Sequence, residues 1–381
     1  MESNKKGNDK EKEMTLSNYW YMYIWIFLIG IFGKFMPQET VKKKNSIYKK
    51  WGMISVLISI IPLIVWAAFR SSAWGDTGAY RTMFYRAPER LSELSSYMNT
   101  VTKDKGFTIL VVLLKIIQGR TPGFCFFVIA AIQMTSLAII YRKYSCDYWF
   151  ALFVFVASTD YMSWCHNGVR QFLAVTIIFA VSKWIFEKKY VPLIIVILLA
   201  STIHGSALLM IPIIFIVQGK AANKKTLLCI AAALCALIFV GQFTNMLDGL
   251  LADTQYTNVV TDWTTGKDDG MNPVRVLVYA VPTILAFAGR KYINAANDNV
   301  VNVCTNMSIV STALSVVAMG TSGIFIGRLP IYCSLYANGI LLPWEIKNMF
   351  EEKSSKIVIS LAVVLYSLFF YYQMHYTWGL L

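Results

Sequence analysis

The chain has 381 residues, of which 56% are hydrophobic and only 15% are charged. A soluble protein of this length would carry more charge, and apolar runs that approach the width of a bilayer recur from end to end. The formal net charge of +14 is typical of membrane proteins with basic cytoplasmic loops, so we do not expect nucleic acid as a partner. The apolar runs do not alternate with polar residues, as β-barrel strands would, and therefore predict an all-α polytopic membrane protein.

The predicted elements begin after a polar, mixed-charge tail at residues 1–17, which we expect to be disordered. Residues 18–381 are predicted to form a single integral membrane domain with about 12–14 transmembrane helices. The segment 106–119 is too short to span and contains Lys115, so we interpret it as a re-entrant or interfacial helix. The candidate spans are residues 18–37, 51–70, 122–141, 147–165, 169–186, 190–204, 206–218, 226–243, 273–289, 301–319, 325–343 and 356–375.

The lysine-rich connections predict how these spans are oriented. All of the basic connections fall on one face, which the positive-inside rule makes cytoplasmic. Both termini then lie outside, together with extracytoplasmic loops at about residues 71–105 and 244–272. The basic connections are residues 41–50, 141–145, 187–190, 219–225, 289–292 and 345–356.

Arginines follow the opposite distribution. Only Arg142 and Arg290 of the ten arginines fall on the cytoplasmic side. A guanidinium group holds phosphate oxygens with paired hydrogen bonds, so an outer face rich in arginine suggests a phosphate-bearing partner. Alternatively, some of these arginines pair with Glu89, Glu93 or Asp104. The outer arginines are Arg70, Arg81, Arg86, Arg90, Arg120, Arg170, Arg275 and Arg328.

The seven cysteines are scattered through apolar segments and include no CxxC pair. This pattern gives no reason to infer a metal site or a disulfide framework. We expect the cysteines to act as small buried hydrophobic residues.

The first polar cluster on the predicted outer face lies in the segment 69–90. Arg70 ends a predicted span, Asp76 is placed to cap a short helix, and Tyr80 and Arg81 follow about one turn later. A carboxylate, a tyrosine and arginines at the membrane edge suit a polar ligand. The alternative is an N-cap with a surface salt bridge.

The next outer junction has the sequence STDYMSWCHNGVRQFLA at residues 158–174. Arg170 and Gln171 enter a strongly apolar helix, and an arginine within a span normally has a partner or a function. His166 precedes Arg170 by four residues, so the two side chains would share a face if the helix starts early.

His204 and Gly205 occupy the predicted outer turn between two spans, in the sequence ASTIHGSA. The small residues allow helices to pack closely around the imidazole. A neutral imidazole at this level can accept a proton from an attacking hydroxyl. The alternative is a histidine that only hydrogen-bonds across a helix pair.

The last cluster lies in the segment 321–345, which opens with a glycine-containing outer turn. Arg328 is placed about one turn inside a predicted span, and Tyr332 follows it by one further turn. Arg328 is therefore a second arginine that we expect to face the outer site.

Through these segments the sequence resembles the EpsG family, which belongs with the Wzy-type exopolysaccharide and O-antigen polymerases. The resemblance covers about residues 20–345, and the order and spacing of its motifs make it specific. In the first motif Gly75 and Asp76 are adjacent, where the family often has a further residue between them. The motifs are RSSAWGDTGAY (70–80), VRQFLA (169–174), SKWIFEKKY (182–190), LLASTIHGSALLMIPI (198–213) and GRLPIYCSLYANGILLP (327–343).

The resemblance implies an inverting glycosyltransferase with a GT-C-like helical bundle in the bacterial cytoplasmic membrane, with its active site on the extracytoplasmic side. Such an enzyme transfers a growing glycan from polyprenyl diphosphate to a sugar hydroxyl of an incoming lipid-linked repeat unit, without a cofactor or a metal. Its expected partners are these lipid-linked oligosaccharides, membrane lipid, and a flippase and a chain-length regulator of a polysaccharide assembly pathway.

On this reading Arg170 and Arg328 hold the diphosphate, with Arg70 nearby, because fixed guanidinium groups stabilise the charge of the leaving group. His204 is the preferred general base, and Asp76 either competes for that role or orients the imidazole. Tyr80, Arg81, His166, Gln171 and Tyr332 complete the predicted substrate-binding residues.

Three other functions fit parts of the sequence. An O-antigen ligase, or a transferase that adds one sugar from polyprenyl phosphate, would share the same arginines. A transporter or flippase for lipid-linked sugars is disfavoured because we find no internal repeat and the polar groups cluster at one face. A structural subunit of an assembly complex is a further alternative.

Overall fold

A computed structural model describes residues 20–43, 46–72, 74–118, 121–242, 246 and 270–379. Helices make up most of these residues, which confirms the predicted all-α class. The predicted tail at residues 1–17, Arg120, and most of the predicted loop at residues 244–272 lie outside the described part of the chain.

Eighteen α-helices, numbered here in chain order, lie within the described residues. The first nine are α1 Trp20–Phe32, α2 Met53–Ala68, α3 Thr77–Arg86, α4 Leu94–Met98, α5 Lys105–Gln118, α6 Pro122–Tyr144, α7 Tyr148–Ala157, α8 Val169–Ala180 and α9 Ser182–Phe186. The other nine are α10 Tyr190–Ile203, α11 Met210–Ile216, α12 Lys224–Ile238, α13 Pro273–Ala288, α14 Arg290–Ala296, α15 Asn299–Met319, α16 Ile331–Tyr336, α17 Leu342–Met349 and α18 Glu352–Tyr372.

Shorter helical turns connect several of these helices. The 3₁₀ turns are Gly33–Phe35, Leu91–Glu93, Gly205–Leu209 and Ile326–Arg328, and the π-helical turns are Tyr161–Asn167, Ala337–Leu341 and Gln373–Thr377. π-helical turns often occur at functional sites.

Three described helices are long and apolar enough to cross a membrane: Pro122–Tyr144, Asn299–Met319 and Glu352–Thr377. The pair α13 and α14, bent by 70°, makes a fourth if it forms one broken span. These features confirm a polytopic membrane protein, and the total of 12–14 spans stays a prediction. Shorter apolar helices of 10–17 residues are Trp20–Phe32, Met53–Ala68, Tyr148–Ala157, Val169–Ala180, Tyr190–Ile203 and Gly205–Ile216.

The basic connection after α1 forms a β-hairpin that was not predicted. Strands β1 Gln38–Lys43 and β2 Ser46–Trp51 pair antiparallel, with Glu39 opposite Lys50. Opposite charges in facing positions stabilise such a pair. Arg142 at the end of α6 donates a hydrogen bond to the carbonyl of Trp51 at 2.7 Å and forms an ion pair with Glu39. The lysines of this segment predict a cytoplasmic loop, and their pattern does not predict strands.

The segment 106–119 folds as α5, which packs against α6 and α10. Lys115 is buried on this helix, and its ammonium group donates to the carbonyls of Tyr85 at 3.0 Å and Ala87 at 2.5 Å. These bonds compensate the loss of hydration that burial of a lysine costs. The helix is as short as predicted, and its position relative to the membrane stays a prediction.

The predicted span at residues 147–165 is interrupted after α7. Thr159 has a φ angle of +65°, which is unusual for a β-branched residue, and the π-helical turn Tyr161–Asn167 follows. The break brings polar residues into the bundle ahead of α8. One large hydrophobic core joins both sides of the break, with α6 packed against α2 and α8, and α15 packed against α12 and α13.

Candidate functional site

An ion pair between Arg170 and Asp104 forms the centre of the site. Arg170 lies in the first turn of α8, and its Nη1 is 2.6 Å from Oδ2 of Asp104. The Arg170 side chain is 31% exposed, whereas the Asp104 side chain is 6% exposed. The backbone N–H of Gly205 also donates to the Asp104 carboxylate. This carboxylate therefore joins the segments before α5, at the start of α8 and after α10.

A close approach of α5 to α10 brings Asp104 to this position. A Cβ atom on Gly106 would lie 2.1 Å from Oγ1 of Thr202 and 3.0 Å from its carbonyl carbon. Only glycine fits this contact without a backbone shift. Asp104 itself has a φ angle of +52°, a conformation that aspartate adopts more readily than most residues. Burial raises the pKa of Asp104, and the charge of Arg170 opposes that rise.

His204 lies in the turn between α10 and Gly205–Leu209, next to this ion pair. Its Nδ1 is 2.7 Å from Oγ of Ser206, which in turn is 3.0 Å from the hydroxyl of Tyr332. Burial, together with the charges of Arg170, Arg328 and Lys103, lowers the pKa of His204 to about 4. The imidazole is therefore neutral at neutral pH, as a proton acceptor must be.

Arg328 ends the turn Ile326–Arg328 and is half-buried. The side-chain amide of Gln171 donates to the Arg328 carbonyl at 2.9 Å, so α8 fixes the backbone of this turn. The arginine ion pairs in the described part of the chain are those of Arg142, Arg170 and Arg275, so Arg328 forms none there. A half-buried guanidinium without a carboxylate partner is suited to an anionic ligand.

Tyr80 connects the first predicted cluster to this site. Its ring is buried 5.8 Å from that of Phe107, and its hydroxyl hydrogen-bonds with Arg170, whose guanidinium carbon is 5.7 Å from the ring centre. Asp76 occupies the N-cap position of α3, but its side chain makes no capping bond. Its backbone N–H donates to Oδ1 of Asn167 at 3.2 Å, and its exposed carboxylate interacts electrostatically with Arg170.

Arg70 and Arg81 are hydrogen-bonded to backbone carbonyl groups of the protein. Arg70 is 2% exposed, donates to the carbonyl of Cys165, and has its guanidinium carbon 4.0 Å from the centre of the Phe126 ring. Arg81 donates to the Arg70 carbonyl at 3.2 Å. The guanidinium of Arg70 is thus directed into the protein, and it supports the segment that carries Asp76.

His166 was expected to share a face with Arg170 only if the helix of Arg170 started before His166, and it does not. The helix of Arg170 begins at Val169, and His166 belongs to the preceding π-helical turn. The buried His166 ring packs edge-on against Tyr161, with the ring centres 5.0 Å apart. The i and i+4 spacing of one continuous α-helix therefore does not relate His166 to Arg170.

A second charged centre, which sequence reasoning did not identify, forms around Asp160. Its carboxylate accepts hydrogen bonds from Ser158 at 3.1 Å, from the Trp164 indole at 3.1 Å and from the Tyr279 hydroxyl. Arg275 of α13 forms an ion pair with it at 3.5 Å. The sequence does contain an indication of this centre. An aspartate lies within the apolar sequence FVFVASTDYM, and a carboxylate in a membrane span normally has a partner.

Together, the side chains around His204 form a cluster with more described cations than carboxylates. Three cations, Arg170, Arg328 and Lys103, act on the imidazole, and Asp104 is the carboxylate paired among them. Two fixed guanidinium groups suit a diphosphate better than a single phosphate. Across the described ranges, no group of three or more His, Cys, Asp or Glu side chains is arranged to hold a metal ion.

Comparison with known proteins identifies the family. No curated protein and no solved structure matches the chain. The profile of the EpsG family matches residues 53–379, a range that contains every predicted site residue. This match confirms the resemblance, and it supports a polysaccharide polymerase of the glycosyltransferase type within a multi-pass membrane protein. The chain belongs to the EpsG family.

Proposed function

We propose that this protein polymerises lipid-linked oligosaccharide repeat units at the outer face of the bacterial cytoplasmic membrane. It transfers a growing glycan from polyprenyl diphosphate to a sugar hydroxyl of an incoming polyprenyl-diphosphate repeat unit. One observation carries this proposal: Arg170 and Arg328 both act electrostatically on His204, and in the described part of the chain Arg328 has no ion-pair partner.

The two arginines hold the diphosphate of the donor. Negative charge accumulates on this group as the bond between the anomeric carbon and the phosphate oxygen breaks. Arg328 forms no ion pair with the described residues, whereas Arg170 shares part of its hydrogen-bonding capacity with Asp104. Fixed cations in a partly buried site stabilise such charge more strongly than water does. Tyr80 and Gln171 position these arginines, since they contact the Arg170 side chain and the Arg328 backbone.

His204 accepts the proton of the attacking sugar hydroxyl through Nε2. Nδ1 is engaged with Ser206, whose hydroxyl reaches Tyr332. Nδ1 also accepts from the backbone N–H of Ser206 at 3.4 Å, a bond that favours the tautomer with the proton on Nε2. Proton acceptance through Nε2 therefore requires the other tautomer, in which Nδ1–H donates to the Ser206 hydroxyl and Ser206 donates to Tyr332. Asp76 is the competing base, since its carboxylate is exposed and close enough to interact with Arg170.

The diphosphate also activates this base. Arg170 and Arg328 lower the pKa of His204 in the free site, and a bound dianion offsets both charges. Substrate binding therefore raises the pKa of His204 towards the range in which a general base works well near neutral pH. Attack inverts the configuration at the anomeric carbon, and polyprenyl diphosphate leaves.

The remaining parts of the proposal concern the surroundings of the enzyme. We assign residues 18–381 to one membrane domain, with the site open to the extracytoplasmic side and the prenyl chains held against apolar helices. Its partners are membrane lipid, a flippase and a chain-length regulator. Labelling of single cysteines introduced at Lys189 and Asp262, applied from each side of the membrane, tests this orientation.

Purified protein incubated with one defined lipid-linked repeat unit tests the activity. Separation of the products by size should give a ladder of increasing length. A shift by a single step would indicate a ligase or a single-sugar transferase, and unchanged substrate would favour transport. Either of those two results would overturn the proposed polymerase.

A further inference from the structure

One described cavity lies away from the His204 site, because its lining residues include none of the residues around His204. It has a volume of about 720 Å³ and opens beside the β-hairpin and the connection between α6 and α7. This volume is within the range of ligand-binding pockets. Arg70 packs near Cys125 and Phe126 at the start of α6, whereas Arg142 near its end lines the cavity. About 17 residues of helix, or roughly 25 Å, separate these positions.

The wall of the cavity is strongly basic. Five cations line it: Lys49, Lys50, Arg142, Lys143 and Lys347. Arg142 is engaged with Glu39 and the carbonyl of Trp51, and Lys50 donates to the carbonyl of Lys143 at 3.0 Å. The lysine ion pairs in the described ranges involve Lys115, Lys183, Lys189 and Lys356, so the ammonium groups of Lys49, Lys143 and Lys347 form none there.

The cavity has two carboxylates against its five cations, and Lys347 acts electrostatically on one of them, Asp147. Both carboxylates cap helices. Oδ1 of Asp147 accepts from the backbone N–H of Phe150 at 3.0 Å at the start of α7. Oδ1 of Asp298 accepts from the N–H groups of Val300 at 2.7 Å and Val301 at 3.2 Å at the start of α15. Each aspartate offsets the positive end of one helix dipole, and the cations of the wall outnumber the carboxylates by five to two.

Aromatic side chains form another part of the cavity wall. Trp51, Tyr144, Tyr148 and Trp344 line the cavity beside the lysines. Rings of this kind are enriched at the level of lipid headgroups, and basic pockets between helices bind phosphate-bearing headgroups there. Charge and aromatic faces together fit a phosphate ester better than an inorganic cation or a neutral sugar.

From this cavity we infer a second anion site, which binds a phosphate ester of headgroup size at the opposite end of α6 from the His204 site. The inference does not depend on the proposed polymerase chemistry. The ligand is either an anionic phospholipid headgroup or a soluble phosphate, and the two sources share the same recognition by Lys49, Lys143 and Lys347.

Cys146 provides a direct probe, because it is exposed and lines the cavity. In a Cys229→Ser/Cys235→Ser background, the other four cysteines are buried, so a fluorescent maleimide reports on Cys146. Labelling is followed in phosphatidylcholine nanodiscs, in nanodiscs containing phosphatidylglycerol, and in phosphatidylcholine with inorganic pyrophosphate. At a ligand concentration about ten times Kd, labelling should slow about tenfold, since only unoccupied cavities react.

Protection only by phosphatidylglycerol identifies a lipid headgroup, and protection only by pyrophosphate identifies a soluble phosphate. Lys347→Ala should weaken protection, whereas Lys353→Ala, an exposed lysine outside the cavity, should not. Arg328→Ala should leave protection intact, which separates this site from the proposed catalytic one. Equal labelling rates in all three conditions, or equal protection by chloride at the same ionic strength, would overturn the inference. Unchanged labelling of Lys347→Ala without ligand verifies that the cavity is folded.

Discussion

Two arginine–carboxylate pairs lie at breaks in the helices, and they differ in how completely the carboxylate neutralises its surroundings. Asp160 is 3% exposed and accepts hydrogen bonds from Ser158, Trp164 and Tyr279 in addition to its ion pair with Arg275. Asp104 is similarly buried, but its partner Arg170 is 31% exposed. The first centre has one cation for one anion. Three cations, Arg170, Arg328 and Lys103, act on the second, where the described carboxylates are Asp104 and Asp76.

The comparison shows what makes an arginine in a membrane protein informative about function. An arginine whose carboxylate is saturated with donors, as at Arg275, stabilises the fold around it. An arginine that is partly exposed beside further cations, as at Arg170, is suited to bind an external anion. Both centres contain a positive φ angle, +65° at Thr159 and +52° at Asp104, and the strain is larger at the β-branched threonine.

The largest expected effect is on stability and involves Asp160. Asp160→Asn leaves the Arg275 charge buried without an anionic partner, which costs about 3–5 kcal/mol of unfolding free energy. Asp104→Asn should cost about 1 kcal/mol or less, because the exposed side of Arg170 is hydrated. Thermal unfolding of the two purified variants in the same detergent measures the difference.

A rescue variant separates charge from packing in this experiment. Adding Arg275→Gln to Asp160→Asn removes the uncompensated cation and should recover part of the lost stability. Equal losses for Asp160→Asn and Asp104→Asn would show that the two centres do not differ in the way described here.

The next largest effect is on polymerisation and involves Arg328. Arg328→Ala removes the cation that lacks a described carboxylate partner, and activity should fall about 10²–10³-fold with no loss of thermal stability. Arg86→Ala is the matched control, because Arg86 is an exposed arginine on the same predicted face. Initial rates with a defined lipid-linked repeat measure the effect. If the two variants polymerise equally well, Arg328 does not hold the diphosphate.

A smaller loss is expected at His204. His204→Ala should lower the polymerisation rate about 10²-fold, the lower end of the range for a general base. Asp76→Asn should have less effect if it only assists. The reverse order of the two effects in the same assay would assign the base role to Asp76. The polymerisation rate of Ser206→Ala should lie between those of the parent protein and His204→Ala, because this substitution removes only the group that orients the imidazole.

The sequence was more informative about which residues belong to the candidate site than about the contacts that those residues make. Arg170, His204 and Arg328 interrupt apolar segments, and the cost of such residues in a membrane makes them visible in the sequence. The partner of Arg170 was harder to assign, because Asp104 lies 66 positions away and reaches it only through the contact of Gly106 with Thr202. The register of His166 depended on a π-helical turn, for which periodicity in the sequence gives no signal.

The smallest effect is on the pH dependence, and it tests the charge imbalance directly. With a pKa of about 4, His204 would be about nine-tenths neutral at pH 5, whereas a histidine at the ordinary value would be about 3% neutral there. Since kcat/KM reports the free enzyme, it should stay nearly level from pH 8 to pH 5 and fall only below that. Lys103→Gln removes one of the cations that lower this pKa, so the acid limb should move to higher pH. Lys105→Gln, two residues away and also exposed, should leave it in place. A parent profile that falls by half near pH 6.5 would mean that the arginines do not act on His204, and the contrast between the two centres would then lose its functional meaning.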